Sequence, residues 1–380
     1  MAQAQPTTTS IVDRGLEDVV ALSSKICSIV DGVLSYGGYT ITDLVENVSF
    51  EEVIHLLWYG ELPTPSQLGA LKKEFAANFV MPKETISMLE KAPVKEKHPM
   101  SVLRTAVSYL AFYDKDSDDI SEAANFRKAK RLVPQVTCLA AAIGRLRKGQ
   151  KPIDPDNKLD VAGNFLYMLN GKKPSETESK FFDQCLTLHA DHELNASTWA
   201  ARVTAATLSD MHSAITSGVG TLRGSLHGGA NEEVMKMLLE IGTEKNLEKW
   251  LEDALTKKQK VPGIGHRVYK DGDPRARYLK TMSETLSKTS KEPQFYRMST
   301  KLEELVYGKK KLKPNVDFYS ASTYYYLGIQ PELFTPIFAV GRTPGWIAHI
   351  LEQYKNNRLI RPRAEYLGFT DRKVVPINKR

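Results

Sequence analysis

Along this 380-residue chain, apolar and polar positions repeat mostly with the spacing of helices. Ser49 and Glu52 make a capping box ahead of Val53, Ile54, Leu57 and Trp58, and Gly60 closes the segment. Thr64-Pro65-Ser66-Gln67 repeats that logic with proline at the first helical position. Ser175 and Glu178 form a third box leading into Phe181, Phe182, Cys185 and Leu186, and Asp273-Pro274 opens a helix with Ala276, Leu279, Met282 and Leu286 on one face. Residues 23–42 break the pattern. Ile26, Ile29 and Val30 run into Asp31-Gly32, and Val33, Leu34 and Tyr36 leave it, which predicts a β-hairpin. Residues 195–220 hold Ala196, Ser197, Ala200, Ala201, Ala205, Ala206, Ser209, Ser213 and Ala214. They predict one slim helix, buried at the centre or at a subunit interface. No alternation of strands and helices announces a parallel sheet. The predicted fold is all-α, mainly helical, with a small N-terminal hairpin.

Length and composition add limits. A chain this long predicts about two domains. No stretch approaches the roughly 18–20 apolar residues that span a bilayer, and MAQAQPTTTS has neither a secretory apolar core nor transit-type arginines. No membrane association and a cytoplasmic location are therefore expected. Cys27, Cys138 and Cys185 are scattered, which fits a reduced compartment. The net charge of +7 is spread along the chain, densest at Lys309–Lys313 and in the last twenty residues, without interleaved aromatics. An anionic small molecule fits that balance better than nucleic acid.

Four segments could carry chemistry. His189-Ala190-Asp191-His192-Glu193-Leu194-Asn195 places two histidines three apart on an expected helix. They read as a metal pair lacking a third ligand, as substrate-binding histidines, or as structural ones. Gly224-Ser225-Leu226-His227-Gly228-Gly229-Ala230-Asn231 puts His227 just before an amphipathic helix carrying Val234, Met237, Leu238 and Ile241. The positive helix end disfavours imidazolium, and a neutral ring can donate to a carbonyl; a plain turn histidine is the even alternative. Residues 262–275 set His266 in a two-glycine loop followed by Arg267, Lys270 and Arg275. The loop matches no dinucleotide or Walker pattern but suits an anion, or is a solvated basic loop. In Pro314-Asn315-Val316-Asp317-Phe318-Tyr319-Ser320, one acid lies among apolar neighbours. Burial would make Asp317 a stronger base; an ordinary helix-start aspartate is equally consistent.

Taken together, LHGGAN, GHRVYKDGDPR and NVDFYS, in this order and at these separations, resemble the citrate synthase family. The resemblance runs from Gly15-Leu16-Glu17 to Arg361-Pro362-Arg363 and is nearest to the shorter bacterial and archaeal form. It implies that His227 hydrogen-bonds the acetyl-CoA thioester carbonyl, Asp317 removes a methyl proton, and His266 polarises the keto oxygen of oxaloacetate. Arg275, Arg342 and Arg361 would hold the substrate carboxylates, with Arg361 reaching in from the second subunit of a homodimer and His192 nearby. Ser197 would lie near the acyl-CoA site, Val261, Pro262, Gly263, Ile264 and Gly265 along the adenine, and Lys270 at a CoA phosphate. Lys310, Lys311 and Lys313 could assist there, although a solvated charge run explains them better. The resemblance further implies a large domain of residues 1–228 and 329–380 and a small one of 229–328 that closes over the cleft. It implies no metal and no cofactor, the CoA thioester being a substrate. The chain departs from the family at Ser225, Ile264 and Gly341. A 2-methylcitrate synthase using propionyl-CoA and a non-catalytic basic helical binding protein are the alternatives.

Overall fold

The computed structural model describes residues 15–16, 19–266, 268–269 and 271–380. Sixteen α-helices and one small sheet occur among the described residues. Cys27–Val30 and Val33–Tyr36 pair antiparallel, with Val30 opposite Val33 across the two-residue turn. Asp31 and Gly32 both take positive φ, 50° and 74°, the geometry expected of an Asp-Gly hairpin. The hairpin is extended by a two-residue third strand, Tyr39–Thr40, paired to Ser35 and Tyr36.

The local helix signals act where they stand. The boxes at Ser49/Glu52, Thr64/Gln67 and Ser175/Glu178 are formed, starting the helices Phe50–Tyr59, Pro65–Asn78 and Glu176–His189, and Gly60 ends the first of these in the left-handed conformation. The small-residue stretch differs from expectation. It is two helices, Ala196–Ala206 and Met211–Leu222, packed on each other. Leu208 adopts φ 62° between them, and Asp210 starts the second by accepting from the Ser213 N–H. The local cap at Asp210 therefore outweighs the continuous helical propensity of the alanines.

Phe334–Lys355 is the central helix. It packs against Ala196–Ala206, Glu122–Arg147, Glu176–His189, Met211–Leu222 and Phe50–Tyr59, and is buried along most of its length. At Gly345 it presses on the turn after Glu176–His189, where an added Cβ would lie 2.1 Å from the Ala190 carbonyl oxygen. Only glycine permits that approach.

A second group of helices lies between the two chain crossings. Ala276–Ser287 packs on Val316–Tyr326, which packs on Ala230–Ile241, while Leu247–Thr256 lies against Gln294–Lys310. The Thr335 hydroxyl donates to the Gly228 carbonyl at 3.1 Å and ties both crossings together. Beyond the central helix the chain runs out exposed from residue 361 to 380, and Tyr366, Leu367, Phe369, Val374 and Ile377 are all open to solvent. Where this segment leaves, a groove of about 1440 Å³ is lined by Lys25, Trp58, Trp199, Glu352 and Arg361, among others. Among the described residues no helix is long and apolar enough to cross a membrane.

Candidate active site

The Glu176–His189 helix ends at His189, and His192 stands in the following turn, so the two histidines do not share a helix face as the sequence suggested. His189 turns into the core. Its Nδ1 donates to the Cys185 carbonyl at 2.7 Å, and its ring meets Phe338 edge-on. Burial, helped by the Arg275 and Arg342 charges, lowers its pKa to about 3. His192 faces the loop that carries His266: its Nε2 lies 3.1 Å from the Tyr269 hydroxyl and its ring 5.6 Å from the His266 ring.

His266 Nδ1 accepts from the Val268 and Tyr269 N–H groups at 3.0 and 3.2 Å. A nitrogen that accepts two backbone protons carries none itself, so the neutral ring keeps its proton on Nε2. Arg275 is buried and paired two-pronged with Asp273, Nε to Oδ1 at 2.9 Å and Nη2 to Oδ2 at 2.8 Å. Arg342, equally buried, donates from Nε to the His189 carbonyl at 2.7 Å and lies over the Phe338 ring. Burial and these two guanidinium charges hold His192 well below the ordinary histidine range. Two buried guanidiniums thus stand near two imidazoles, Arg275 already paired with Asp273 and both able to pair with carboxylate oxygens.

His227 is positioned from the start of Ala196–Ala206. The Ser197 N–H donates to His227 Nε2 at 3.2 Å, and the Ser197 hydroxyl lies 2.8 Å from the same nitrogen. The neutral ring therefore carries its proton on Nδ1. Burial first, and then the charge of Arg342, lower its pKa to about 4. Sequence pointed to the helix end as the reason for a neutral ring, whereas the causes that the fold shows are burial and the Arg342 charge. Ser197 is fully buried, its hydroxyl 2.8 Å from Asn195 Oδ1 and accepting from Trp346 Nε1 at 3.2 Å, so it holds His227 in place. Asp317 is the second residue of Val316–Tyr326, and its N–H is capped by Asn315 Oδ1 at 2.9 Å. Burial raises its carboxyl pKa to about 6, with Arg275 and Arg342 pulling down and Asp273 pushing up. Arg342 acts electrostatically on His192, His227 and Asp317 alike, which makes the three one electrostatic unit.

The loop at Val261, Pro262, Gly263, Ile264 and Gly265 is joined to the approach to Asp317. Ile264 bridges Pro314, Gly265 N–H donates to the Lys313 carbonyl, and Asn315 donates to the Gly263 and Gly265 carbonyls. Lys313 Nζ is spent on the Asp271 carbonyl at 2.8 Å, while Lys310 is exposed at its helix end. Lys270 lies outside the described residues. Arg361 lines the large groove and is not among the residues around the 160 Å³ pocket, which Gly265, His266, Tyr269, Asp273 and Lys313 help to line. At Gly341, one of the departures, a side chain would press on the Leu186 carbonyl oxygen at 3.3 Å and His189 Cβ at 3.2 Å, so glycine here leaves the end of the Glu176–His189 helix undisturbed.

Sequence reading missed Asp273 and Tyr269 as members of the site. Asp273 also accepts from the Val316 N–H at 3.0 Å, one residue before Asp317. Both were inside a motif singled out for its basic residues; the acid two positions before Arg275 was the available signal.

A family model described as citrate synthase, C-terminal domain, matches residues 15–363. Citrate synthase 2 of Bacillus subtilis is 54% identical over 367 residues, covering 97% of this chain and 99% of that one. A 2-methylcitrate synthase of Shewanella oneidensis is 42% identical over 348 residues, 91% and 92% of the two chains. The solved ternary complex of carboxymethyl coenzyme A and oxaloacetate with citrate synthase of Thermoplasma acidophilum superposes with a TM-score of 0.90 at 33% identity, covering 96% of this chain and 98% of that one.

Proposed function

The chain belongs to the citrate synthase family, and on that premise we propose that it condenses acetyl-CoA with oxaloacetate and hydrolyses the resulting thioester to citrate and CoA. Asp317 takes a methyl proton. His227 donates from Nδ1 to the thioester oxygen as it gains charge, and the enol carbon bonds to the keto carbon while the proton on His266 Nε2 passes to the forming alkoxide. Water then attacks the citryl thioester carbonyl and the CoA thiol departs. Arg275 and Arg342, with Arg361 of the partner subunit, grip the carboxylates. No step needs a metal or a redox group. The observation that carries this reading is the pair of opposite tautomers, Nδ1–H on His227 and Nε2–H on His266, together with a carboxyl at Asp317 that burial raises to about 6. Each ring offers a proton without being an imidazolium, as an enolisation and a carbonyl attack both require.

We assign the moving unit to residues 229–328, closing on a body of 1–228 and 329–380, with the adenine end of CoA against Val261–Gly265. The exposed apolar C-terminal segment, with Arg361 on it lining the groove, supports a homodimer. We place the reaction in the cytoplasm, where its three unpaired cysteines would stay reduced.

Thiol release with acetyl-CoA and with propionyl-CoA, oxaloacetate saturating, tests the substrate. We expect acetyl-CoA to be preferred in kcat/KM by about 10- to 200-fold, the range one extra methylene allows. Equal or better use of propionyl-CoA would assign 2-methylcitrate synthesis instead.

The pH profile tests the base. A carboxyl raised to about 6 is protonated, and idle, below that pH. The kcat/KM for acetyl-CoA should therefore climb with pH through about 6 and then level. His227, at about 4, is already neutral there and adds no limb. A rise centred near an ordinary carboxylate value would remove the argument that burial prepares Asp317.

A further inference from the structure

We propose that Asp191, His349 and Arg202 form a buried positioning relay that sets the oxaloacetate-binding turn, with His349 as its neutral link. The inference rests on the reading of His192 and Arg342 as oxaloacetate ligands. All three side chains are buried. His349 Nε2 lies 3.1 Å from Asp191 Oδ2, and its Nδ1 lies 3.1 Å from Arg202 Nη1. A guanidinium can only donate. Nδ1 of His349 is therefore the acceptor, and the ring's proton sits on Nε2, pointed at the Asp191 carboxylate. One uncharged ring thus joins a buried cation to a buried anion.

Both ends are fixed. Arg202 donates from Nε to Gln353 Oε1 at 3.1 Å and from Nη1 to Glu352 Oε2 at 2.6 Å, while Glu352 Oε1 accepts from the Lys25 N–H at 2.8 Å. At the other end the Tyr36 hydroxyl donates to the Asp191 carbonyl at 3.0 Å, and the next residue is His192. Burial alone would raise the Asp191 carboxyl, while the hydrogen bond from His349 Nε2 and the Arg342 charge favour its ionised form. Asp191 is thus an anion within the electrostatic reach of Arg342. Losing the His349 N–H would leave that anion under-solvated, free to turn onto Arg342 and to drag the His192 backbone with it. His349 and Arg202 reach the substrate only through Asp191.

His349→Ala and His349→Gln separate this from a plain packing role. Glutamine offers Oε1 to Arg202 and an N–H to Asp191. We expect His349→Ala to raise the KM and the calorimetric Kd for oxaloacetate about tenfold, the scale of one unsatisfied buried partner. The acetyl-CoA KM and kcat should stay close to wild type, and His349→Gln should recover oxaloacetate affinity. An unchanged oxaloacetate KM, a parallel rise of both KM values, or a glutamine variant as impaired as alanine would each overturn the relay. Should the alanine protein not fold, Arg202→Met carries the comparison with the same selective rise expected, and an unchanged oxaloacetate KM there overturns it. A wild-type protein that makes no citrate defeats the functional reading; an active wild type without the selective effect defeats only the relay.

Discussion

Asp317→Asn is expected to cut kcat by about 10³-fold, within the range for removing a placed general base, while oxaloacetate binds as tightly as before or more tightly. Asparagine has nearly the same shape. It keeps the backbone N–H that Asn315 caps and leaves the packing of Val316–Tyr326 untouched, so what is lost is the capacity to accept a proton. Affinity for oxaloacetate should not fall, because the substitution removes a negative charge that Arg275 and Arg342 both feel, and the proposed substrate is itself a dianion. Stopped turnover by thiol release and oxaloacetate titration by calorimetry read the two effects separately. Near-normal turnover would dismiss Asp317 as the base. A loss of affinity as large as the loss of rate would make it a structural residue.

The second large effect concerns Arg361. It is exposed on the outgoing C-terminal segment, among apolar side chains that solvent should not face, and lines a groove rather than the pocket. If it completes the site of a second copy, Arg361→Ala should be inactive alone, and so should Asp317→Asn. Mixed subunits behave differently. In a heterodimer, one site receives an intact Asp317 from one chain and an intact Arg361 from the other; the second site lacks both. Random assortment makes half the dimers mixed and half of their sites whole, so co-expression of the two inactive variants should restore about a quarter of wild-type activity in a symmetric two-site assembly. Verified heterodimers without recovered activity would put Arg361 outside the partner's site.

Much of the scaffold was readable because its signals are local. A capping box closes over three residues, and Asp31-Gly32 sets the hairpin turn within two. The break at 207–210 was misread because alanine propensity extends over many residues, whereas the signals that oppose it are one left-handed leucine and one aspartate cap. In the site, residue types were legible but protonation patterns were not. The tautomer of His227 is decided by Ser197, thirty residues earlier, and the electrostatics of His192, His227 and Asp317 by Arg342 on another helix. Asp273 escaped notice because its partners, Arg275 and Val316, make it meaningful only once the chain has folded back.

That acid has a mechanical consequence. One oxygen of Asp273 holds both the side chain and the backbone of Arg275; the other is shared between the same guanidinium and the first N–H of the helix that bears Asp317. A ligand that draws the arginine forward must therefore tug on a helix end one residue from the base. On the roles proposed above, grip and proton removal would turn as a single lever, with one carboxylate as its fulcrum.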